Sequence, residues 1–166
     1  MENKHLVIFG GLLALLLLVV SPPARASDDK TYTGFMCSGL QAPDQPYIEA
    51  GFNNDPNSYH SVSCPIVRDT MAATVLPFVR IYVRDYSSDG SLVCVLFSTN
   101  PIGGSVAVMT RRVADVPPPS DPALPIALEF SDTPAQSYGY YHIYCQLPPQ
   151  NAGRSSGVVG YWVVEK

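Results

Sequence analysis

The stretch Phe78 to Phe97 limits what this chain can become. It reads Phe-Val-Arg-Ile-Tyr-Val-Arg-Asp-Tyr over 78–86 and Ser-Leu-Val-Cys-Val-Leu-Phe over 91–97. Both runs are rich in β-branched and aromatic side chains, which suit a pleated, half-buried surface better than a helix. Ser87-Ser88-Asp89-Gly90 lies between them, and its closing Asp-Gly predicts a tight turn and hence a β-hairpin. Strand side chains alternate between faces. Val79, Ile81 and Val83 therefore form a core face, opposite Phe78, Arg80, Tyr82, Arg84 and Tyr86. In the second run Leu92, Cys94 and Leu96 share one face and Val93, Val95 and Phe97 the other. Two apolar faces place that strand inside a sheet rather than at its edge.

The rest of the chain repeats the pattern. Strands are expected over 31–37, 47–52, 59–66, 105–112, 126–130, 138–147 and 157–165, separated by Pro, Gly, Asn and Asp clusters. Pro65 puts the 59–66 strand at an edge or at its own end. Residues 68–74 suit either one helical turn or a loop, and Pro77 stops a helix there. The 113–125 segment, with Pro117-Pro118-Pro119, predicts a polyproline-like connector crossing between sheets. About nine short strands with turn signals between them are the pattern of an all-β, two-sheet antiparallel β-sandwich of jelly-roll or immunoglobulin-like type, with a small β-barrel as the alternative.

The N-terminus reads as a secretory signal peptide. Lys4 precedes an apolar run from Leu6 to Val20, then Ser21-Pro22-Pro23 and the small-residue site Ala24-Arg25-Ala26. The expected organisation is a 1–26 leader and one disulfide-bonded domain over 27–166, with no membrane span after cleavage. Of 10 basic and 14 acidic residues, Lys4, Arg25 and Glu2 fall in the leader, leaving 8 against 13. That balance gives no electrostatic footprint for nucleic acid. All four cysteines lie beyond the leader, and an even count in an exported chain predicts two disulfides. Three pairings exist. Cys37–Cys64 is favoured because the two are near in sequence, and Cys94–Cys145 because both sit in firm strand patterns.

No stretch carries a convincing catalytic set, so a non-catalytic role is favoured over an enzymatic one. There is no Gly-x-Ser-x-Gly, the cysteines are committed, and no carboxylate pair stands out for sugar hydrolysis. His60 and His142 read as surface histidines or hydrogen-bonded structural ones. Asp85 to Gly90 matches the first half of a calcium loop, but the twelfth position is Leu96 rather than an acid, which excludes an EF-hand. Asn53, Asn54, Asp55 and Asn57 make a second oxygen-rich loop that reads as turn chemistry. No metal or cofactor is expected. The best binding signal is tyrosine at period two. If their strands were neighbours, Tyr82 and Tyr86 with Tyr140 and Tyr144 would form an aromatic platform flanked by Arg80, Arg84 and His142, suited to stacking on sugar rings. The alternative is that a second sheet or a loop covers these rings as core. The expected role is a secreted binding or structural protein whose partner is an extracellular glycan or a surface protein. A polysaccharide hydrolase and a protease inhibitor presenting 116–125 are the alternatives.

Three stretches together resemble a known pattern: Ser63-Cys64-Pro65-Ile66-Val67-Arg68-Asp69, then Ile81-Tyr82-Val83 with Cys94, then Tyr144-Cys145-Gln146-Leu147-Pro148 with Gly160-Tyr161-Trp162-Val163-Val164-Glu165. In these the chain resembles uncharacterised small secreted bacterial proteins with a Cys-Pro, a middle Cys and a Cys-x-Leu-Pro. The resemblance implies export and a shared fold, and supplies no activity or site.

Overall fold

The computed structural model describes residues 28–40, 48–68, 75–100, 102, 104–121, 123–134 and 139–165. The expected leader and residues 69–74 lie outside the described residues. Eleven strands follow in order: β1 (Asp28–Thr33), β2 (Ser38–Gly39), β3 (Ile48–Glu49), β4 (Phe52–Asn53), β5 (His60–Ile66), β6 (Val75–Arg84), β7 (Val93–Thr99), β8 (Ser105–Arg112), β9 (Ile126–Pro134), β10 (Tyr140–Leu147) and β11 (Ser156–Glu165). They form two antiparallel sheets and no closed barrel. Sheet I runs β3-β4-β11-β6-β9, with β1 also paired to β11, and sheet II runs β2-β5-β10-β7-β8.

The core lies between the sheets and follows the period-two faces read from the sequence. Val79, Ile81 and Val83 of β6 are buried against Cys94 and Leu96 of β7, with Leu92 just before it, and against Tyr141, Ile143, Cys145 and Leu147 of β10. Burying a side chain the size of Leu96 contributes about 1.5–3 kcal/mol. In β11 the alternation slips once. The register shifts between Val158 and Gly160, so Val158 and Tyr161 both point inward. This bulge lets Tyr161 stack on Tyr32 at 4.7 Å and donate its hydroxyl to the Pro65 carbonyl at 2.5 Å. Pro65 belongs to sheet II, so that bond ties the sheets together, and burial pushes the Tyr161 hydroxyl pKa well up.

Both expected disulfides are present, Cys37–Cys64 and Cys94–Cys145, and each joins Cα atoms 4.1 Å apart. Cys94 and Cys145 are direct cross-strand partners of β7 and β10. Such bonds belong to an oxidising compartment. Among the described residues no helix is long and apolar enough to cross a membrane.

The central hairpin is not formed. β6 pairs with β11 and β9, whereas β7 pairs with β10 and β8, so residues 85–92 cross from one sheet to the other. The Asp85 carboxylate braces this crossing loop. Its Oδ1 accepts from the Ser87 amide (2.8 Å) and hydroxyl (2.6 Å), and its Oδ2 accepts from the Leu92 amide at 3.0 Å. One side chain thus holds together a connection that is a wide loop rather than a two-residue turn.

Other boundaries move for similar local reasons. The expected 31–37 strand is split by a 3-10 turn at Gly34–Met36, and the chain changes sheets there. Gly34 permits the crossing, since a Cβ would collide with the Val158 carbonyl. The expected 47–52 strand is a hairpin, β3 to β4, whose turn residues Ala50 and Gly51 have φ of 52° and 83°. Tyr47 lies outside the described residues. β9 runs on to Pro134 instead of ending at Phe130, and β6 begins at Val75, with Pro77 beyond the last β11 pairing at Phe78. Pro65 obeys the edge rule, because β2 reaches only Val62 and Ser63 of β5. The 113–125 connector crosses between sheets as expected.

Candidate functional site

The four tyrosines do not form a platform. Tyr82 lies on β6 of sheet I and Tyr86 just after it, whereas Tyr140 and Tyr144 lie on β10 of sheet II. The two rows are on opposite layers, and the neighbouring-strand condition fails with the hairpin. Each ring has its own surroundings. Tyr86 is half-buried with the Arg154 guanidinium 5.5 Å from its centroid. Tyr144 is half-buried, shares a 2.6 Å hydrogen bond with the Ser61 hydroxyl and meets Phe97 edge-on at 6.4 Å. Tyr82 is half-buried, and Tyr140 is exposed.

The loop over 53–58 is a strut built on two buried side chains, Asn53 and Asp55. The Asn53 amide donates to the Ser58 and Pro148 carbonyls, both at 2.9 Å, and its Oδ1 accepts from the Asp55 amide. Asp55 Oδ1 accepts from the Asn57 amide, and Oδ2 lies 2.9 Å from His60 Nε2. The His60 hydrogen bond, then the Asn57 amide, hold the Asp55 carboxyl below the usual carboxylate range. These oxygens are used by the fold, and among the described residues no group of three His, Cys, Asp or Glu side chains is placed to hold a metal. His142, on the outer face of sheet II, stacks on its cross-strand neighbour Phe97 at 5.0 Å. Desolvation lowers its pKa, which favours the neutral imidazole.

The same outer face opens into a cleft of about 420 Å³ at one end. Its floor is a single cross-strand row: Gln146 of β10 faces Val93 of β7, which faces Arg112 of β8. One wall is Tyr59, just before β5, a residue 44% exposed whose hydroxyl donates to the Ser91 hydroxyl at 3.1 Å. The rim that Tyr59 reaches is the 85–92 loop, with Asp89, Gly90 and Ser91. Gly90 has φ of 63°, and a Cβ there would sit 3.1 Å from the Ala114 amide nitrogen, so the loop presses onto the turn after β8. Hydrogen bonds from Ser91, then Ser87, hold Asp89 below the ordinary carboxylate range. The cleft thus offers an anchored aromatic face, an ionised carboxylate acceptor, a guanidinium and an amide.

Asp89 was visible in the sequence as an oxygen in a turn, and Arg112 only as the end of the expected 105–112 strand. Tyr59 and Gln146 were not singled out, because only the register of β7, β8 and β10 puts them together. Arg111 points elsewhere: its Nε donates to the Glu129 carbonyl of β9 at 2.8 Å, and its guanidinium lies 5.9 Å from the Phe130 centroid.

No protein-family model and no curated protein matches the chain. A solved structure of a two-domain esterase active on acetylated mannans, co-crystallised with mannopentaose, is similar at 7% identity and a TM-score of 0.43, over 98% of this chain and 46% of that one. The chain spans about half that protein's length. At this level the likeness assigns neither family nor activity.

Proposed function

We propose that the chain is an exported, non-catalytic binding protein that takes a neutral glycan in the cleft beside Tyr59. The supporting observation is the composition of that cleft: an aromatic face held by its own hydroxyl, with carboxylate, guanidinium and amide groups around it. Pyranose rings present an apolar C–H face and a rim of hydroxyls that donate and accept. Tyr59 matches the first, and Asp89, Arg112 and Gln146 match the second. The volume falls within the 300–1,000 Å³ usual for small-ligand sites. Asp89 and Arg112 balance in charge, which suits a neutral ligand, and among the described lining residues Asp89 is the one acid, short of the pair that hydrolysis of the paired-carboxylate kind uses.

The test is a glycan array on the secreted chain, followed by calorimetric titration of the best ligand. Tyr59→Ala is expected to weaken binding about tenfold or more, equivalent to at least ~1.4 kcal/mol, while Tyr82→Ala on the other sheet leaves it intact. Because the folded-state pKa of Asp89 is lowered, its carboxylate stays ionised to a pH below the usual carboxylate value. Its contribution should hold at neutral pH and fade only below about pH 4. Absence of binding to every neutral glycan, or binding indifferent to Tyr59→Ala, overturns the reading.

A further inference from the structure

On the other side of the 85–92 loop lies a smaller cavity of about 230 Å³. Two arginines line it. Arg84 ends β6, and its Nη2 donates to the Ala123 carbonyl at 3.4 Å. Arg154 closes the tight turn Asn151–Arg154, in which Ala152 and Gly153 have φ of 49° and 75°. That turn is fastened from outside, since the Asn151 amide donates to the Tyr86 carbonyl at 2.8 Å. Arg154 is therefore carried on a rigid support and lies over the Tyr86 ring. Both arginines are exposed, and among the described residues neither forms an ion pair. Asp85 also borders the cavity, but its two oxygens are occupied by the Ser87 and Leu92 donors.

The remaining walls are apolar: Pro118, Pro119, Leu124 and Ile126. Asp121 sets the bend that presents Leu124, accepting from the Ala123 amide at 2.8 Å on its side chain and from the Leu124 amide at 3.0 Å on its carbonyl. Proline walls lose little freedom when a ligand arrives, so the cavity is largely pre-formed. Two guanidiniums over an apolar wall select a ligand with a carboxylate at one end and an apolar body at the other. A bare inorganic anion would leave the apolar wall unused, and a neutral apolar molecule would leave the guanidiniums unused.

We infer that the Arg84–Arg154 cavity is a second binding site, for a carboxylate attached directly to a compact apolar group, whether a free aryl carboxylate or the C-terminus of a peptide ending in an apolar residue. This inference is independent of the glycan reading.

The experiment follows backbone amide shifts of the full secreted chain during titration with benzoate, N-acetyl-phenylalanine, N-acetyl-phenylalaninamide and inorganic phosphate. At least one of the two carboxylates should saturate shifts at Arg84, Tyr86 and Arg154 with Kd near 1 mM, the affinity expected of so small a ligand. The amide and phosphate should bind at least about tenfold more weakly. Both carboxylates binding alike identifies a small-molecule site, and N-acetyl-phenylalanine binding alone identifies a peptide C-terminus. Arg84→Gln or Arg154→Gln should weaken binding about tenfold, and Arg112→Gln, in the other cleft, should leave it unchanged. Equal binding of the amide or of phosphate, no saturable shift with either carboxylate, or indifference to both arginine substitutions overturns the inference.

Discussion

The two sheets meet solvent in opposite ways. On sheet I, Phe78 packs edge-on against Trp162 at 5.6 Å, and Arg80 lies over both rings, 5.2 Å and 5.5 Å from their centroids. The same guanidinium reaches Glu129 at 2.6 Å. The aromatic surface of sheet I is covered by a cation of its own. On sheet II the row Gln146, Val93 and Arg112 opens into a cleft with the Tyr59 ring at its side. The covalent links divide the same way. Cys94–Cys145 joins two strands of sheet II, and Cys37–Cys64 joins β5 to the residue preceding β2. Outward-facing aromatics alone therefore do not make a binding face. It matters which residue stands opposite across the ladder, and the open face lies on the layer that is held most firmly.

The most severe way to break this contrast is to remove Cys94–Cys145. Replacing both cysteines by alanine frees a closed loop of 51 residues, which the chain-entropy account values at about 4 kcal/mol. Urea unfolding should show that loss. If the disulfide also holds the open face in shape, glycan affinity should fall in the variant under conditions where it remains folded. A smaller effect is expected from Tyr161→Phe, which deletes the bond from sheet I to the Pro65 carbonyl. Losing that one hydrogen bond should cost about 1–1.5 kcal/mol in the same unfolding assay, with glycan affinity retained, since Tyr161 is remote from the cleft residues in sequence and layer. The smallest effect belongs to Arg80→Ala. Its side chain is one-third exposed and its partner Glu129 half exposed, so the ion pair and ring contacts together should contribute about 1 kcal/mol or less. Glycan binding unchanged by Arg80→Ala sharpens the contrast. A loss as large as that of Tyr59→Ala would place the binding face on sheet I.

Face assignment was legible in the sequence, and strand pairing was not. Val79, Ile81, Val83, Cys94, Leu96, Ile143 and Cys145 point to the core as their alternation requires. Alternation fixes the inward side whichever sheet a strand joins, because both sheets bury the same kind of residue. It says nothing of neighbours. The Asp89-Gly90 signal suggested that β6 and β7 pair, but the two strands join different sheets, and between them the Asp85 carboxylate reaches seven positions on to the Leu92 amide. The tyrosine platform failed with that pairing. The cleft was hidden for the same reason: Tyr59, Asp89, Arg112 and Gln146 sit on four separate segments, and only register brings them together. The disulfides could be anticipated because Cys37 and Cys64 are near in sequence and Cys94 and Cys145 both sit in firm strand patterns. The turn at Ala50-Gly51 was hidden, since alanine rarely takes a positive φ and gives no turn signal of its own.

Arg111 has a consequence for the molecule in company. β8 and β9 are the terminal strands of their sheets on the same flank, and terminal strands offer unpaired backbone groups to any other extended chain. By reaching from β8 to the Glu129 carbonyl, Arg111 occupies one of the acceptors on β9 and lays a charged side chain across the seam. On the opposite flank the Lys30 ammonium and the Tyr32 hydroxyl of β1 do the same at the Val67 carbonyl just past β5. Each flank of the sandwich is thereby spanned by a cationic side chain bonded to a backbone carbonyl, the kind of charged cover that discourages pairing by another extended chain.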